Sequence, residues 1–204
     1  MNHPAFYDEA PRIVMRDPLA AFLGAADDGL LESRYLDAVQ LAGHSCPTVA
    51  GAYLIARAAL RALYPDKPAE RGGIAVHMPA AEDEGVTGVI AQVLTLVTGA
   101  PGNNGFHGIG GRFVRQALLD FATTPGTAAV QFSRRDNGDA VAVELDLATV
   151  PAAANLRSLM GAALDPAATT AQRAPFAQAW QDRVQRLLLE HADDPQVLRL
   201  TRLN

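Results

Sequence analysis

The clearest periodicity in the chain lies between residues 47 and 63, where apolar side chains recur at spacings of three and four. Such spacing places side chains on one face of a helix. The stripe consists of Val49, Tyr53, Ala56, Leu60 and Leu63. Pro47 suits the first helical turn, where its missing N–H group has no intrahelical acceptor. The pattern therefore predicts a helix whose N-cap is Ser45 or Cys46.

Two more elements are predicted after this helix. Alternation over residues 74–78 indicates a strand with Ile74, Val76 and Met78 on one face and Ala75 and His77 on the other. The apolar stretch 85–99 predicts a largely buried helix that ends at Gly99. The glycine-dense stretch 100–111 is typical of a turn or of a loop whose backbone approaches a ligand closely.

The second half of the chain carries a hairpin signal and a helix signal. Two β-type runs flank Asp136-Asn137-Gly138, a favourable composition for a β-turn. Residues 175–195 predict an amphipathic helix whose apolar face carries Phe176, Trp180, Val184 and Leu187. Between them, residues 148–174 are rich in Ala, Pro and Thr, which indicates a short helix and a linker.

The N-terminal part of the chain is less regular. Three prolines interrupt the first 18 residues, which we interpret as an extended arm or irregular lead-in. A short helix is predicted over 19–23, whereas residues 30–43 fit a helix and a strand almost equally well.

Together these elements predict an α+β fold, with helices packed on a mixed or antiparallel sheet and a C-terminal helical extension. Residues 1–147 form the predicted core domain with its N-terminal arm. Residues 148–204 form a linker and a helical extension that belong to the same structural unit.

Composition narrows the class of protein. With 49% hydrophobic and 19% charged residues, the chain is typical of soluble globular proteins. Its formal net charge is −5 and its basic residues are scattered along the sequence, which argues against a nucleic-acid partner. It has no apolar run of roughly 20 residues and no signal-peptide pattern at its start. We therefore expect a cytoplasmic protein that makes no membrane contact.

The sole cysteine, Cys46, follows His44 by two residues in the stretch "LAGHSCPTVA". One cysteine excludes an intrachain disulfide and a four-cysteine zinc ribbon. A cysteine at a helix N-terminus is favoured as thiolate, and a neighbouring imidazole adds to this effect. His44 and Cys46 could instead supply one nitrogen and one sulfur ligand to zinc or another transition metal, although two ligands do not complete a site. Spacing alone also allows an ordinary buried thiol beside a loop histidine.

The segment "GHSCP", followed by an alanine-rich helix, resembles the His-x-Cys-Pro signature of the FmdE-like family. Proteins of this family are similar to one of the subunits of formylmethanofuran dehydrogenase. The order of strand, apolar helix, Gly/Asn-rich loop and hairpin agrees with that family across residues 19–147. The resemblance implies an α+β domain, often dimeric, with a metal site near His44 and Cys46 and an active-site cleft beside it. It does not imply formylmethanofuran oxidation.

The chain departs from this family in two respects. Many relatives append a cysteine-rich zinc finger, but no cysteine follows Cys46. Relatives also commonly carry acidic and cysteine residues in the strand–helix region, where this chain offers His77, Glu82, Asp83 and Glu84. We expect His77 to be a third metal ligand or an exposed strand residue, and the three acidic residues to cap the following helix.

Other side chains near the Gly-rich loop are candidates for binding a small molecule. They are His107, Asn103, Asn104 and Arg112, with Arg112 suited to a carboxylate or phosphate. The loop lacks the pattern of a nucleotide-binding glycine motif.

Three functions are compatible with these observations. The first is a metal-dependent enzyme or accessory subunit, in which His44, Cys46 and His77 hold a zinc or related ion and a small molecule binds beside it. The second is a metal-free enzyme that uses Cys46 activated by His44. The third is a non-enzymatic subunit whose C-terminal helix docks on a partner or on a second copy of the chain. A homodimer is expected from the resemblance.

Overall fold

The computed structural model describes residues 3–124, 126 and 128–203. Within these residues the chain forms seven helices and two mixed sheets, which confirms the predicted α+β class. The helices are α1 Phe6–Glu9, α2 Pro18–Phe22, α3 Tyr35–Ala42, α4 Pro47–Leu63, α5 Thr87–Thr98, α6 Leu156–Ala163 and α7 Thr170–Leu189. The strands are β1 Ile13–Arg16, β2 Leu30–Ser33, β3 Ala69–Glu70, β4 Ile74–Met78, β5 Leu119–Phe121, β6 Val130–Arg134, β7 Ala140–Leu145 and β8 Leu198–Leu203.

The larger sheet has the strand order β5-β4-β6-β7-β8. Strands β4 and β5 are parallel, and the remaining neighbours are antiparallel. The predicted hairpin is formed by β6 and β7, in which Val130 is opposite Val143. The smaller sheet has the order β2-β1-β3, with β2 antiparallel and β3 parallel to β1.

Helix α4 occupies the centre of the hydrophobic core. All five residues of its predicted apolar stripe are buried, and the helix packs against α5, α7 and the inner face of the larger sheet. Cys46 is its N-cap, one of the two residues that the sequence predicted for this position. Each large apolar side chain buried in this way contributes about 1.5–3 kcal/mol to folding, so α4 is the main organiser of the core.

Several predicted elements are confirmed. Strand β4 and helix α5 lie where expected, and Gly99 ends α5 in the left-handed conformation with φ 66°. The ambiguous stretch 30–43 contains both alternatives, because β2 precedes α3. The short helix predicted over 19–23 is α2, and the linker 148–174 contains α6.

The N-terminal arm was predicted wrongly. Residues 6–9 form α1 and residues 13–16 form β1, and the side chains of Phe6, Tyr7, Ile13 and Met15 are buried in the core. None of the arm's prolines lies in the interior of a regular element, because Pro4 precedes α1, Pro11 lies between α1 and β1, and Pro18 is the first residue of α2. Met1 and Asn2 of the predicted arm lie outside the described residues.

The C-terminal region is more than a helical extension. Residues 198–203 form β8, which pairs antiparallel with β7 along six residues and becomes an edge of the larger sheet. Helix α7 packs on α4 through Val184, Leu187 and Leu188, all fully buried. In the part of the chain that the structure describes, no helix combines the length and apolar character needed to span a bilayer.

Candidate functional site

A cleft of about 980 Å³ lies between α5, strand β5 and the Gly-rich loop. Its size suits a small organic molecule. One wall is a face of α5 and another is the segment that leads into β5, while the end of α3 contributes Leu41. The polar residues of the lining are Glu82, Gln92, Thr95, Asn103, Asn104 and Asp120.

The Gly-rich loop folds back on itself to form one wall of this cleft. Backbone bridges join Phe106 to Arg115 and Ile109 to Arg112. A side chain at Gly105 would place its Cβ atom 1.8 Å from the carbonyl oxygen of Arg115. Only glycine therefore allows the two arms of the loop to approach this closely.

The base of the loop is tied to its surroundings by neutral hydrogen bonds. The Thr95 hydroxyl donates to the Ala100 carbonyl at 3.0 Å, which links α5 to the start of the loop. The N–H groups of Leu118 and Leu119 donate to the Pro101 carbonyl at 2.9 and 3.1 Å. These contacts hold the residues that line the cleft without using any charged group.

The charged groups of the cleft are both carboxylates. Glu82 and Asp120 line it, and none of its lining residues in the described chain carries a positive charge. Asp120 on β5 is opposite His77 on the parallel strand β4, and His77 Nδ1 forms a short hydrogen bond with the Asp120 carboxylate. His77 thus orients a carboxylate that lies at the cleft wall.

The predicted ligands His44 and Cys46 lie on the short connection between α3 and α4. The His44 ring is exposed, and its Nδ1 lies 3.0 Å from the Ala42 carbonyl, so it acts as the donor. Cys46 is 7% exposed, and its Sγ accepts a hydrogen bond from the Val49 N–H group at 3.4 Å. Neither residue lines the cleft.

The chemistry of a metal site requires at least one more ligand beside this pair. Among residues 3–124, 126 and 128–203, no group of three or more His, Cys, Asp or Glu side chains is arranged to hold a metal ion. His77 is engaged with Asp120. The described residues therefore do not fit a self-contained zinc site at His44 and Cys46.

Ser45, between these two residues, is the centre of a buried polar network that the sequence analysis missed. Its hydroxyl donates to Gln181 Oε1 at 3.1 Å and accepts from the Tyr35 hydroxyl at 2.8 Å. The Ser45 carbonyl accepts from Trp180 Nε1 at 2.9 Å, and Tyr7 also donates to Gln181. Burial raises the pKa of Tyr35. The network fixes the connection on which His44 and Cys46 lie, and its members are too distant in sequence for any local pattern to reveal.

The remaining predicted candidates divide between two regions. Asn103 and Asn104 line the cleft, and the Asn103 carbonyl accepts from the Gln116 side chain at 2.9 Å. His107 is exposed on the Gly-rich loop outside the cleft lining. Arg112 lies at a separate depression, with its guanidinium 4.9 Å from the centre of the Phe113 ring.

No protein-family model matches this chain, and the search of curated proteins found no match either. The geometry of the site is therefore the basis for assigning a function.

Proposed function

We propose that this protein binds a small cationic or hydrogen-bond-donating molecule in the cleft, and that Asp120 is the group that accepts a hydrogen bond or a proton from it. The observation that carries this proposal is the polarity of the cleft. Two carboxylates and several uncharged polar groups line it, with no cationic side chain among its lining residues in the described chain. A carboxylate is an acceptor when ionised, so the cleft complements ammonium, guanidinium or hydroxyl groups.

The pairing of His77 with Asp120 supports a role in proton transfer. A histidine that donates to a carboxylate restricts its orientation, and such pairs are common in general acid–base catalysis. In the proposed step, a proton leaves the bound molecule for the free oxygen of Asp120, while the electron pair stays on the molecule. His77 is a positioning residue in this step because it acts through Asp120.

The test compares binding of small primary amines, such as ethanolamine and putrescine, to matched variants by calorimetry. Asp120→Asn and Glu82→Gln keep shape and remove charge, while Asp83→Asn is the control because Asp83 is exposed outside the cleft lining. We expect Asp120→Asn to weaken binding by at least about tenfold, the loss typical of a hydrogen bond to a charged group. Equal affinity in Asp120→Asn and Asp83→Asn would contradict the proposal.

His77 has its own test. His77→Ala leaves Asp120 without its donor, and we expect weaker amine binding, whereas His77→Gln can still donate and should retain most of it. If both variants bind the amines as tightly as the wild-type protein does, His77 does not position Asp120.

The family resemblance and the metal site remain proposals. The confirmed order of α4, β4, α5, the loop and the β6–β7 hairpin supports the resemblance to the FmdE-like family. A zinc ion held by His44 and Cys46 would need another ligand from outside the described residues, and in this proposal a second copy of the chain supplies it. The homodimer and the cytoplasmic location likewise remain predictions.

Metal analysis and light scattering test this part together. Wild-type protein should contain metal, whereas His44→Ala and Cys46→Ser should contain far less, and metal content should follow the dimer fraction. Negligible metal in all three proteins would remove the metal proposal and leave the cleft proposal intact.

A second candidate function uses Cys46 as a nucleophile. It is supported by the position of Sγ at the N-terminus of α4, where Sγ accepts a hydrogen bond from the Val49 N–H group. The small exposed fraction of Cys46, 7%, weighs against easy access by a substrate. Rapid labelling of native protein by iodoacetamide at neutral pH, lost in Cys46→Ser, is the expected result. Labelling only after unfolding would exclude this function.

A further inference from the structure

Six cationic side chains gather around two adjoining depressions that lie apart from the cleft. The depressions have volumes of about 350 and 510 Å³ and share Glu70 and Arg135 in their walls. We call this surface the basic groove, and its cationic residues are Arg16, Lys67, Arg71, Arg112, Arg115 and Arg135. They come from four separate stretches of the chain, near residues 16, 67–71, 112–115 and 135, which the fold brings together.

A buried carboxylate holds two of these cations in place. Asp17 is 2% exposed, and its Oδ2 accepts from Arg115 Nη1 at 2.9 Å and from Arg71 Nη1 at 3.2 Å. Arg115 Nη2 also forms a short contact with the other oxygen, which makes the Arg115 pair bidentate. Two guanidinium groups share one carboxylate, so this cluster carries one positive charge in excess.

The other four cations add to this excess. In the part of the chain that the structure describes, Arg16, Lys67, Arg112 and Arg135 form no ion pair. The acidic side chains of the groove walls are Glu70 and Asp136, and Asp136 is paired with Arg134. The groove is therefore strongly positive on a chain whose formal net charge is −5.

Local backbone geometry brings the cations close together. Gly72 has φ +79°, and a Cβ atom there would lie 2.7 Å from Arg115 Nε. Gly99, at the end of α5, similarly leaves room for Arg71, whose Cγ would lie 2.8 Å from a Cβ atom at that position. Because Gly72 and Gly99 have no side chain, Arg115 and Arg71 can pack against the backbone there while their guanidinium groups reach Asp17.

We propose that the basic groove binds a small molecule that carries phosphate groups. Arginine presents a planar fork of donors that matches phosphate oxygens, and pre-positioned guanidinium groups lose little entropy on binding. The excess of positive charge favours a ligand with more than one negative charge, and two adjoining depressions suit a phosphorylated compound larger than a single phosphate ion. This proposal does not rest on the proposed amine-binding cleft.

Pyrophosphate is the probe for the test, with binding measured by calorimetry at two salt concentrations. Arg16→Gln and Arg112→Gln remove one free cation from each depression, and Arg157→Gln is the matched control because Arg157 is exposed on α6, outside the groove walls. We expect each groove variant to bind about tenfold more weakly than the control, since a hydrogen bond to a charged group is lost. Binding should also weaken as salt is raised.

Three outcomes would overturn the proposal. They are no pyrophosphate binding by the wild type, equal losses in the groove variants and Arg157→Gln, and equal affinity for sulfate and pyrophosphate. A short single-stranded RNA serves as the comparison ligand. If RNA binds through the same residues and pyrophosphate does not, the groove is a nucleic-acid surface and the small-molecule proposal is wrong.

Discussion

The cleft and the basic groove both use the Gly-rich loop, yet they are held together by different forces. The cleft rests on the packing of α5 and on neutral hydrogen bonds such as Thr95 to Ala100. The groove rests on Asp17, a buried carboxylate between two guanidinium groups. One loop can therefore border both an acidic and a basic surface, because each of its ends is anchored by its own type of interaction.

The two regions are also physically connected. Arg71 pairs with Asp17 in the groove and donates through Nη2 to the Leu96 carbonyl at 3.0 Å, near the end of α5. Leu96 lines the cleft. A cation at the C-terminal end of a helix is favoured by the helix dipole, so Arg71 stabilises both regions at once.

The largest expected effect comes from removing the charge of Asp17. Asp17→Asn leaves two partly buried guanidinium groups without their carboxylate, and breaking such a pair costs about 3–5 kcal/mol of the free energy of unfolding. Denaturant unfolding measures this loss. Asp66→Asn, at an exposed position outside any described ion pair, is the control and should change stability by less than about 0.5 kcal/mol. A loss below about 1 kcal/mol in Asp17→Asn would show that the groove does not depend on the ion cluster.

The next effect tests the loop that the two regions share. Gly105→Ala places a Cβ atom where it overlaps the Arg115 carbonyl, so the loop must open, at a cost of up to about 3 kcal/mol. We expect both amine and pyrophosphate binding to weaken. Gly161→Ala is the control because nothing lies within 4 Å of its added Cβ atom and alanine favours helix α6. Unchanged stability and binding in Gly105→Ala would mean that the loop does not couple the regions.

Acid should weaken the ion cluster around Asp17 that anchors the groove. Burial by itself raises the pKa of Asp17, but hydrogen bonds from Arg115 and the Ala20 N–H group, with the charges of the arginines, outweigh it and lower the pKa to about 2. A folded pKa below the unfolded value of 3.8 stabilises the protein above that value, and the stabilisation is lost as pH falls toward 2.

The lowered pKa of Asp17 contributes about 2 kcal/mol to the free energy of unfolding at neutral pH. The measurement is the free energy of unfolding between pH 5 and pH 2 for wild type and Asp17→Asn. Part of the difference between them should disappear as the pH falls. A difference that is constant across this range would contradict the assigned pKa direction.

The smallest effect concerns the neutral anchor of the cleft. Thr95→Val keeps the shape of the side chain and removes the hydroxyl that donates to Ala100, at a cost of about 1 kcal/mol. Amine binding should weaken while pyrophosphate binding stays unchanged, as seen by calorimetry on the same preparation. Thr201→Val, on the exposed edge strand β8, is the control. Weaker pyrophosphate binding in Thr95→Val would contradict the prediction that this hydrogen bond supports the cleft and not the groove.

Elements that depend on local periodicity and end signals could be predicted from the amino-acid sequence. Spacing within a few residues predicted the stripe of α4, strand β4 and the Gly99 end of α5. It also limited the N-cap of α4 to Ser45 or Cys46, of which the fold uses Cys46. The N-terminal prolines misled the interpretation of residues 1–18, because proline between elements and proline inside them look alike in a sequence. Strand β8 was not predicted, because it forms by pairing with β7, which is distant in sequence.

Contacts between side chains that are distant in sequence follow from the three-dimensional fold and from no local pattern. Asn103 and Asn104 were predicted near a ligand and line the cleft, but the pairing of His77 with Asp120 required two parallel strands to lie in register. The basic groove is the clearest case, since its cationic residues appear scattered from residue 16 to residue 135, whereas the fold gathers them at one surface where two of them pair with Asp17. Charge has no periodicity that a local pattern can detect, so its clustering is a property of the folded chain.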